Sequence, residues 1–206
     1  MALVKYNNNS ISAVTSAASI PSGAMTLIKT LTASSSATLS FVDGSSDVVL
    51  DSTYPIYVFK FINMHPATNS VTFNVNFRDG GSAYDATKTT TFFRAYHNEG
   101  GSGQALEYQA SQDLAQSTSA QPLANDLGND NDQSCSGELF LYNPSSTTFV
   151  KHFMAKMESQ AENEYSYNLF IGGYCNVTAA IDGVQFAMSS GNIDSGKIKL
   201  YGIKDS

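Results

Sequence analysis

Residues 71–78 read VTFNVNFR. Val71, Phe73, Val75 and Phe77 share one parity, and Thr72, Asn74, Asn76 and Arg78 share the other. A pleated strand sends successive side chains to opposite faces, whereas a helix would scatter both sets around its axis. The stretch therefore reads as a half-buried β-strand with its apolar face on a core. GVQFAMSS at residues 183–190 repeats the pattern, with Val184, Phe186 and Met188 inward and Gln185 and Ser189 outward. MTLIKTLT (25–32), ATLSFV (37–42) and TTTFFRAY (89–96) follow it less cleanly. IYVFKFI (56–62) is apolar on both parities except at Lys60, as expected of a central strand or one covered by a neighbour.

ELFLYN (138–143), TTFVKHFMAK (147–156), YSYNLFIGGY (165–174) and KIKLYGIK (197–204) complete the set. Together these segments predict about ten strands separated by turn chemistry. The turns are DGSSD, MHPATNS, RDGGSAYD, NEGGSG, NPSSTT and SSGNIDSG. In them Gly supplies positive φ, Pro144 presets a type I turn, and Asn, Asp and Ser bond back to nearby backbone. Many short strands at such spacing predict an all-β protein, an antiparallel sandwich or barrel rather than a βαβ fold.

In KIKLYGIK, Ile198, Leu200 and Gly202 fall on one face and Lys197, Lys199, Tyr201 and Ile203 on the other. The eight-residue turn SSGNIDSG (189–196) leads from Met188 into it, which predicts an antiparallel hairpin with GVQFAMSS. Should the last strand be an edge, Lys197, Lys199 and Lys204 would guard it against edge-to-edge pairing.

Two stretches lack the period. Residues 1–24 are rich in Asn, Ser and Ala and read as an irregular N-terminal arm preceding a domain over residues 25–206. Residues 104–136 read as a long polar insertion, with a weak helical turn at residues 110–115 and an acidic run, LANDLGNDNDQSCS. FMAKMESQAENEY lacks helical spacing and reads as strand to about Lys156, then polar loop.

Of 206 residues, 42% are apolar, enough to bury a core, and only 14% are charged, against about 25% in ordinary soluble domains. The formal charge is −7, with 11 basic and 18 acidic residues and no basic block, so no nucleic-acid partner is expected. No apolar run is long enough for a helical membrane span, and MALVKYNNNS lacks the apolar region of a secretory signal. Cys135 and Cys175 form no CxxC pair and read as small buried residues, with a disulfide between them as the alternative.

The chemistry-bearing residues form no recognisable motif. His65 precedes a proline, His97 follows an aromatic segment and His152 sits mid-strand, and there is no G-x-S-x-G elbow. Asp126, Asp130 and Asp132 have oxygen spacing suited to Ca²⁺, but Cys135 stands where the EF-hand glycine belongs, so a solvated acidic loop is the expectation. Glu107 and Glu138 have no evident partner across a cleft. Tyr84, Tyr96, Tyr108, Tyr165 and Tyr174 lie near loops, where they close strand ends or stack on sugars. Asn8 and Asn176 head N-x-S/T sequons, uninformative without secretion. No catalytic, metal or cofactor-binding residue is assigned.

FAMSSGNIDSGKIKLYGIK (186–204), with YVFKFINMHPATNS (57–70) and NPSSTTFVKHF (143–153), resembles a group of small structural proteins of tailed bacteriophages, especially marine ones. Several of these end in a turn and strand of the SGNIDSGxIKLYGI kind, and the resemblance runs from about Ser16 onward. It implies a jelly-roll-like β-sandwich on the outside of a virion, made in the bacterial cytoplasm. The implied roles are capsid decoration or cement, or a short head or tail fibre component. The implied partners are capsid or tail proteins and further copies of the chain as a homotrimer; host surface glycans are the partner under the alternative role, a receptor-binding module. No enzyme activity and no cofactor are implied.

Overall fold

The computed structural model describes residues 24–205. The expected arm, residues 1–24, lies outside them except for Ala24. The described residues form an all-β sandwich of twelve strands and no helix. These are β1 (Met25–Ser36), β2 (Leu39–Val42), β3 (Ile56–Pro66), β4 (Val71–Arg78), β5 (Lys88–Asn98), β6 (Gln104–Tyr108), β7 (Gln121–Leu127), β8 (Cys135–Tyr142), β9 (Lys151–Gln160), β10 (Tyr165–Cys175), β11 (Gly183–Met188) and β12 (Ile193–Ile203). All ten expected segments are present. One sheet has eight strands in the order β1-β12-β3-β8-β9-β10-β5-β6, and the other has four in the order β2-β11-β4-β7.

The pairings β1 with β12, β2 with β11, β3 with β8 and β4 with β7 are all antiparallel. They describe one long two-stranded ribbon wrapped across the two sheets, which is the double Greek-key arrangement of a jelly roll. Two hairpins are added to it. The pair β5–β6 is inserted between β4 and β7, and β9–β10 between β8 and β11; both extend the larger sheet on the same side of β8.

The alternation of β4 appears as strict burial: Val71, Phe73, Val75 and Phe77 are buried and the residues between them are half-buried. Phe186 of β11 is fully buried at the centre of the core. Its ring lies 6.3 Å from Phe41, 5.3 Å from Phe59, 5.1 Å from Phe61 and 5.9 Å from Phe73, so rings from both sheets meet there. β3 is interior to the larger sheet, and Val58 is buried on its outer side between Tyr201 and Phe140. That accounts for the apolar character of both its faces.

Several expectations are corrected. Residues 104–136 are not one polar insertion: they contain β6, β7 and the start of β8, with Leu123, Ala124 and Leu127 buried. Residues 110–115 are not helical but a turn and an irregular run beside β5, where Thr90 N–H donates to the Leu114 carbonyl. β9 continues past Lys156 to Gln160 because β8 and β10 pair with it that far or nearly so. β11 and β12 are not a hairpin, since they lie in different sheets. β12 is interior, flanked by β1 and β3, so Lys197 and Lys199 guard no edge. The inward set on β12 is as expected: Ile198, Leu200 and Gly202 are buried. Gly202 is required there, because a Cβ would come within 2.3 Å of the Tyr54 ring.

Candidate functional site

The outer face of the eight-stranded sheet follows from strand parity and register. Leu27, Tyr201, Val58, Phe140 and Met154 stand opposite one another across β1, β12, β3, β8 and β9. Beside them run Met25, Ile203, Ile56 and Tyr142. Met25, Leu27 and Met154 are exposed, Met154 at 57%. The next row starts charged and ends aromatic: Lys199, Lys60, Glu138, Lys156, Phe170, Phe93 and Tyr108. Lys60 pairs with Glu138, and Lys156 Nζ lies 5.5 Å from the centre of the Phe170 ring. Phe170 stacks on Phe93 at 5.1 Å and 9°. Phe93 is exposed, as are Tyr108 and its neighbour Leu106 on β6. Exposed apolar side chains grouped on one face of a polar protein are the kind of surface that interaction sites use.

Lys60, Gly137, Glu138, Lys156, Glu158 and Asn168 line a groove of 230 Å³ on this face. Gly137 itself has inward parity, opposite Phe61 and Met157, and a Cβ there would meet the Lys156 carbonyl at 2.3 Å. Glu158 accepts hydrogen bonds from Ser166 Oγ at 2.7 Å and Asn168 Nδ2 at 2.8 Å, which fixes its carboxylate. The groove is thus polar and opens beside the Phe170–Phe93 pair.

A second concavity, 410 Å³, lies at one end of the sandwich among Asn63, His65, Asn131, Ser134, Asp194 and Ser195. His65 Nδ1 is 2.7 Å from the Gln133 carbonyl, which ties the histidine to the acidic run. The other histidines lie elsewhere: His97 Nδ1 is bonded to its neighbour's carbonyl, and His152 packs on Tyr174 on the outer face. The expected acidic residues are likewise dispersed. Asp126 sits 3.6 Å from Arg94, and the Asp130 backbone N–H donates to Gln133. Among the described residues no group of three or more His, Cys, Asp or Glu is arranged to hold a metal ion. Glu107 is bonded to Arg94 and Glu138 to Lys60, so they do not face each other.

Of the tyrosines, Tyr108 is exposed and donates to Asp113. Tyr165 packs on Tyr96 and Tyr167, and the Arg94 guanidinium lies 4.4 Å over Tyr167 and 5.3 Å over Tyr96. Tyr84 packs by Gly183. Asn176 donates to Gln116, and the Asn8 sequon lies outside the described residues. Cys135 and Cys175 are free and buried, and burial pushes each thiol up to about 12.

The sequence reading missed two buried amines. Lys88 and Lys151 are fully buried, each at the start of a strand that pairs with β10, and Cys175 is the residue opposite both. Lys151 Nζ donates to the Val177 carbonyl at 3.0 Å. Burial lowers the pKa of both amines, that of Lys88 to about 8. The parity signal was available: Lys88 is in phase with Thr90 and Phe92, both inward. No family model matches the chain, nor does any curated protein or solved structure.

Proposed function

We propose that the protein is a structural, adhesive component of a tailed-bacteriophage particle, a decoration or cement protein or part of a short fibre. The observation that carries the reading is the outer face of the eight-stranded sheet, where Met25, Leu27, Phe93, Leu106 and Met154 are exposed. Eight strands spaced by about 4.8 Å and averaging about 33 Å in length give a face of about 1,100 Å², more than the roughly 800 Å² per partner of a standard interface. The partner is a second copy of the chain, in a homotrimer. In a closed trimer this face of one copy packs on a different surface of the next, a heterologous contact repeated three times. Residues 1–24 attach the trimer to the particle, following the phage resemblance.

Sedimentation velocity tests the self-association. The full chain should sediment as an oligomer, and Met154→Asp should weaken association by roughly tenfold or more, since it forfeits about 1–2 kcal/mol of apolar burial and buries a charge. A wild-type monomer at high protein concentration refutes the interface. Deleting residues 1–20 should leave a folded trimer that no longer binds particles; full occupancy by the truncated protein refutes the attachment role.

A second reading has one observation in its favour. The polar groove beside the Phe170–Phe93 pair combines fixed carboxylates, an amide and an aromatic plane, the elements that grip a sugar ring. Glycan-array binding lost in Phe93→Ala and Asn168→Ala would favour this receptor-binding role, and silence favours cement.

A further inference from the structure

We propose that Lys88 and Asn76 become joined by an isopeptide bond, the lysine amine displacing the asparagine side-chain nitrogen as ammonia. Lys88 opens β5 and Asn76 lies near the end of β4, with residues 79–87 looping between them. Lys88 Nζ is 2.5 Å from Asn76 Oδ1 and 2.7 Å from the Ala86 carbonyl, and its side chain is fully buried. The amide is held at both ends. Oδ1 also accepts the Phe77 backbone N–H at 3.0 Å, and Nδ2 donates to the Thr118 carbonyl at 3.1 Å on the exposed side.

That arrangement supplies what amide exchange needs. Amines attack carbonyls only when neutral, and desolvation lowers the Lys88 pKa to about 8. Roughly one-tenth of the amine is then neutral at pH 7. Confinement against the amide replaces a bimolecular encounter. The Phe77 N–H stands where negative charge collects on Oδ1, as an oxyanion donor must.

In the step, the Lys88 nitrogen lone pair forms a bond to Asn76 Cγ and the carbonyl π pair moves onto Oδ1. The intermediate collapses by breaking Cγ–Nδ2. One proton passes from the attacking to the departing nitrogen through water at the exposed side of the amide. The products are a secondary amide and ammonia, with no oxidant or cofactor required. Asp79 and Asp85 of the loop and Cys175 of β10 face Lys88, and Lys151 of β9 lies across Cys175 from it. The Cys175 thiol stays protonated, pushed up to about 12, so it does not compete as a thiolate. The bond would tie the four-stranded sheet to the strands added to the eight-stranded one, independently of redox conditions.

Denaturing intact-mass spectrometry of the full chain tests this. The expected result is a mass one ammonia below the sequence mass. Tandem spectra should show a branched peptide joining the segments that contain Asn76 and Lys88. Conversion should run about tenfold faster at pH 9 than at pH 7, following the neutral amine. Lys88→Met and Asn76→Ala should each restore their own sequence mass. A wild-type chain that keeps its sequence mass after prolonged incubation at pH 9, with trypsin still cutting after Lys88, overturns the proposal and leaves Lys88 a hydrogen-bonded buried amine. An ammonia loss that tandem spectra place elsewhere overturns it equally.

Discussion

Phe186→Ala probes whether the two sheets really close on one aromatic centre. The ring is fully buried and meets Phe41, Phe59, Phe61 and Phe73 at 5.1–6.3 Å, edge to face with Phe41 and Phe61 and stacked on Phe73. A buried phenylalanine removes about 200 Å² from water, worth about 5 kcal/mol at about 25 cal/mol per Å². Measured truncations of this kind cost about 3–5 kcal/mol, because neighbours relax into part of the cavity. Four rings from three other strands resist that relaxation, which places Phe186→Ala near the top of the range. Phe77→Ala supplies the control: Phe77 is equally buried but its close ring partner is Phe153 alone, at 4.9 Å. It should cost about 1 kcal/mol less, the worth of the extra aromatic contacts. Urea unfolding followed by far-ultraviolet circular dichroism and tyrosine fluorescence, undisturbed by tryptophan in a chain that has none, gives both values. A loss below about 2 kcal/mol for Phe186→Ala, or one smaller than that of Phe77→Ala, would mean the sheets do not meet as described.

Alkaline pH should unfold the protein through its thiols. Burial pushes the Cys135 and Cys175 thiols from an ordinary 9.0 up to about 12, so the folded state holds more protons between those values and stability falls as pH rises through them. The loss reaches up to about 4 kcal/mol per thiol. Buried Tyr57, whose pKa is also raised, adds to it, while Lys88, lowered from 10.5 to about 8, gains stability as pH rises over its own window unless it is already an amide. The urea midpoint should therefore drop steeply above pH 9, and Cys135→Ala with Cys175→Ala should flatten the drop; an unchanged slope would contradict the burial of the thiols. Separately, Gly202→Ala places a methyl 2.3 Å from the Tyr54 ring and should cost about 1–3 kcal/mol, relieved in the Tyr54→Ala background. Additive losses in the double variant would show that the two do not touch.

Strand parity was legible wherever one face is wet and the other dry. β4 and β12 show this, because alternation is a local property that the neighbouring residues alone encode. Partner choice is not local. The short turn after β11 looked like a hairpin, but β11 completes the small sheet between β2 and β4, and the chain crosses to the other sheet at Ile193. β7 escaped notice because its register slips twice against β4 and Asp126 adopts φ 55°, so Leu123, Ala124 and Leu127 fall out of period. β6 was hidden for the opposite reason: its residues are exposed or half-buried, and Leu106 points to water at 74%. Lys88 and Lys151 were unreadable as buried from residue type, since lysine is almost never fully buried without partners, and theirs are a side-chain amide and main-chain carbonyls.

The inserted hairpins are where shape and chemistry diverge from a plain wrapped ribbon. The eight paired strands β1–β4, β7, β8, β11 and β12 already close a sandwich and already hold the rings around Phe186. β5, β9 and β10 extend the core with Phe92, Phe153, Leu169 and Ile171, and all four added strands widen the outer face. Phe170, Phe93 and Tyr108 lie on β10, β5 and β6, and Met154 and Lys156 lie on β9. Every member of the exposed aromatic row thus belongs to a strand that the underlying wrap does not need. Arg94, held among Tyr96, Tyr167 and Glu107, stiffens the same strands from their inner side, where β6 runs past the pairings of the small sheet. A surface built from additions to a complete scaffold, and braced from within, is what a binding face demands of its support. Under the proposed role, contact residues should accordingly be sought on the outer face, on β5, β6, β9 and β10 and at Met25 and Leu27 of β1, before the ends of the sandwich.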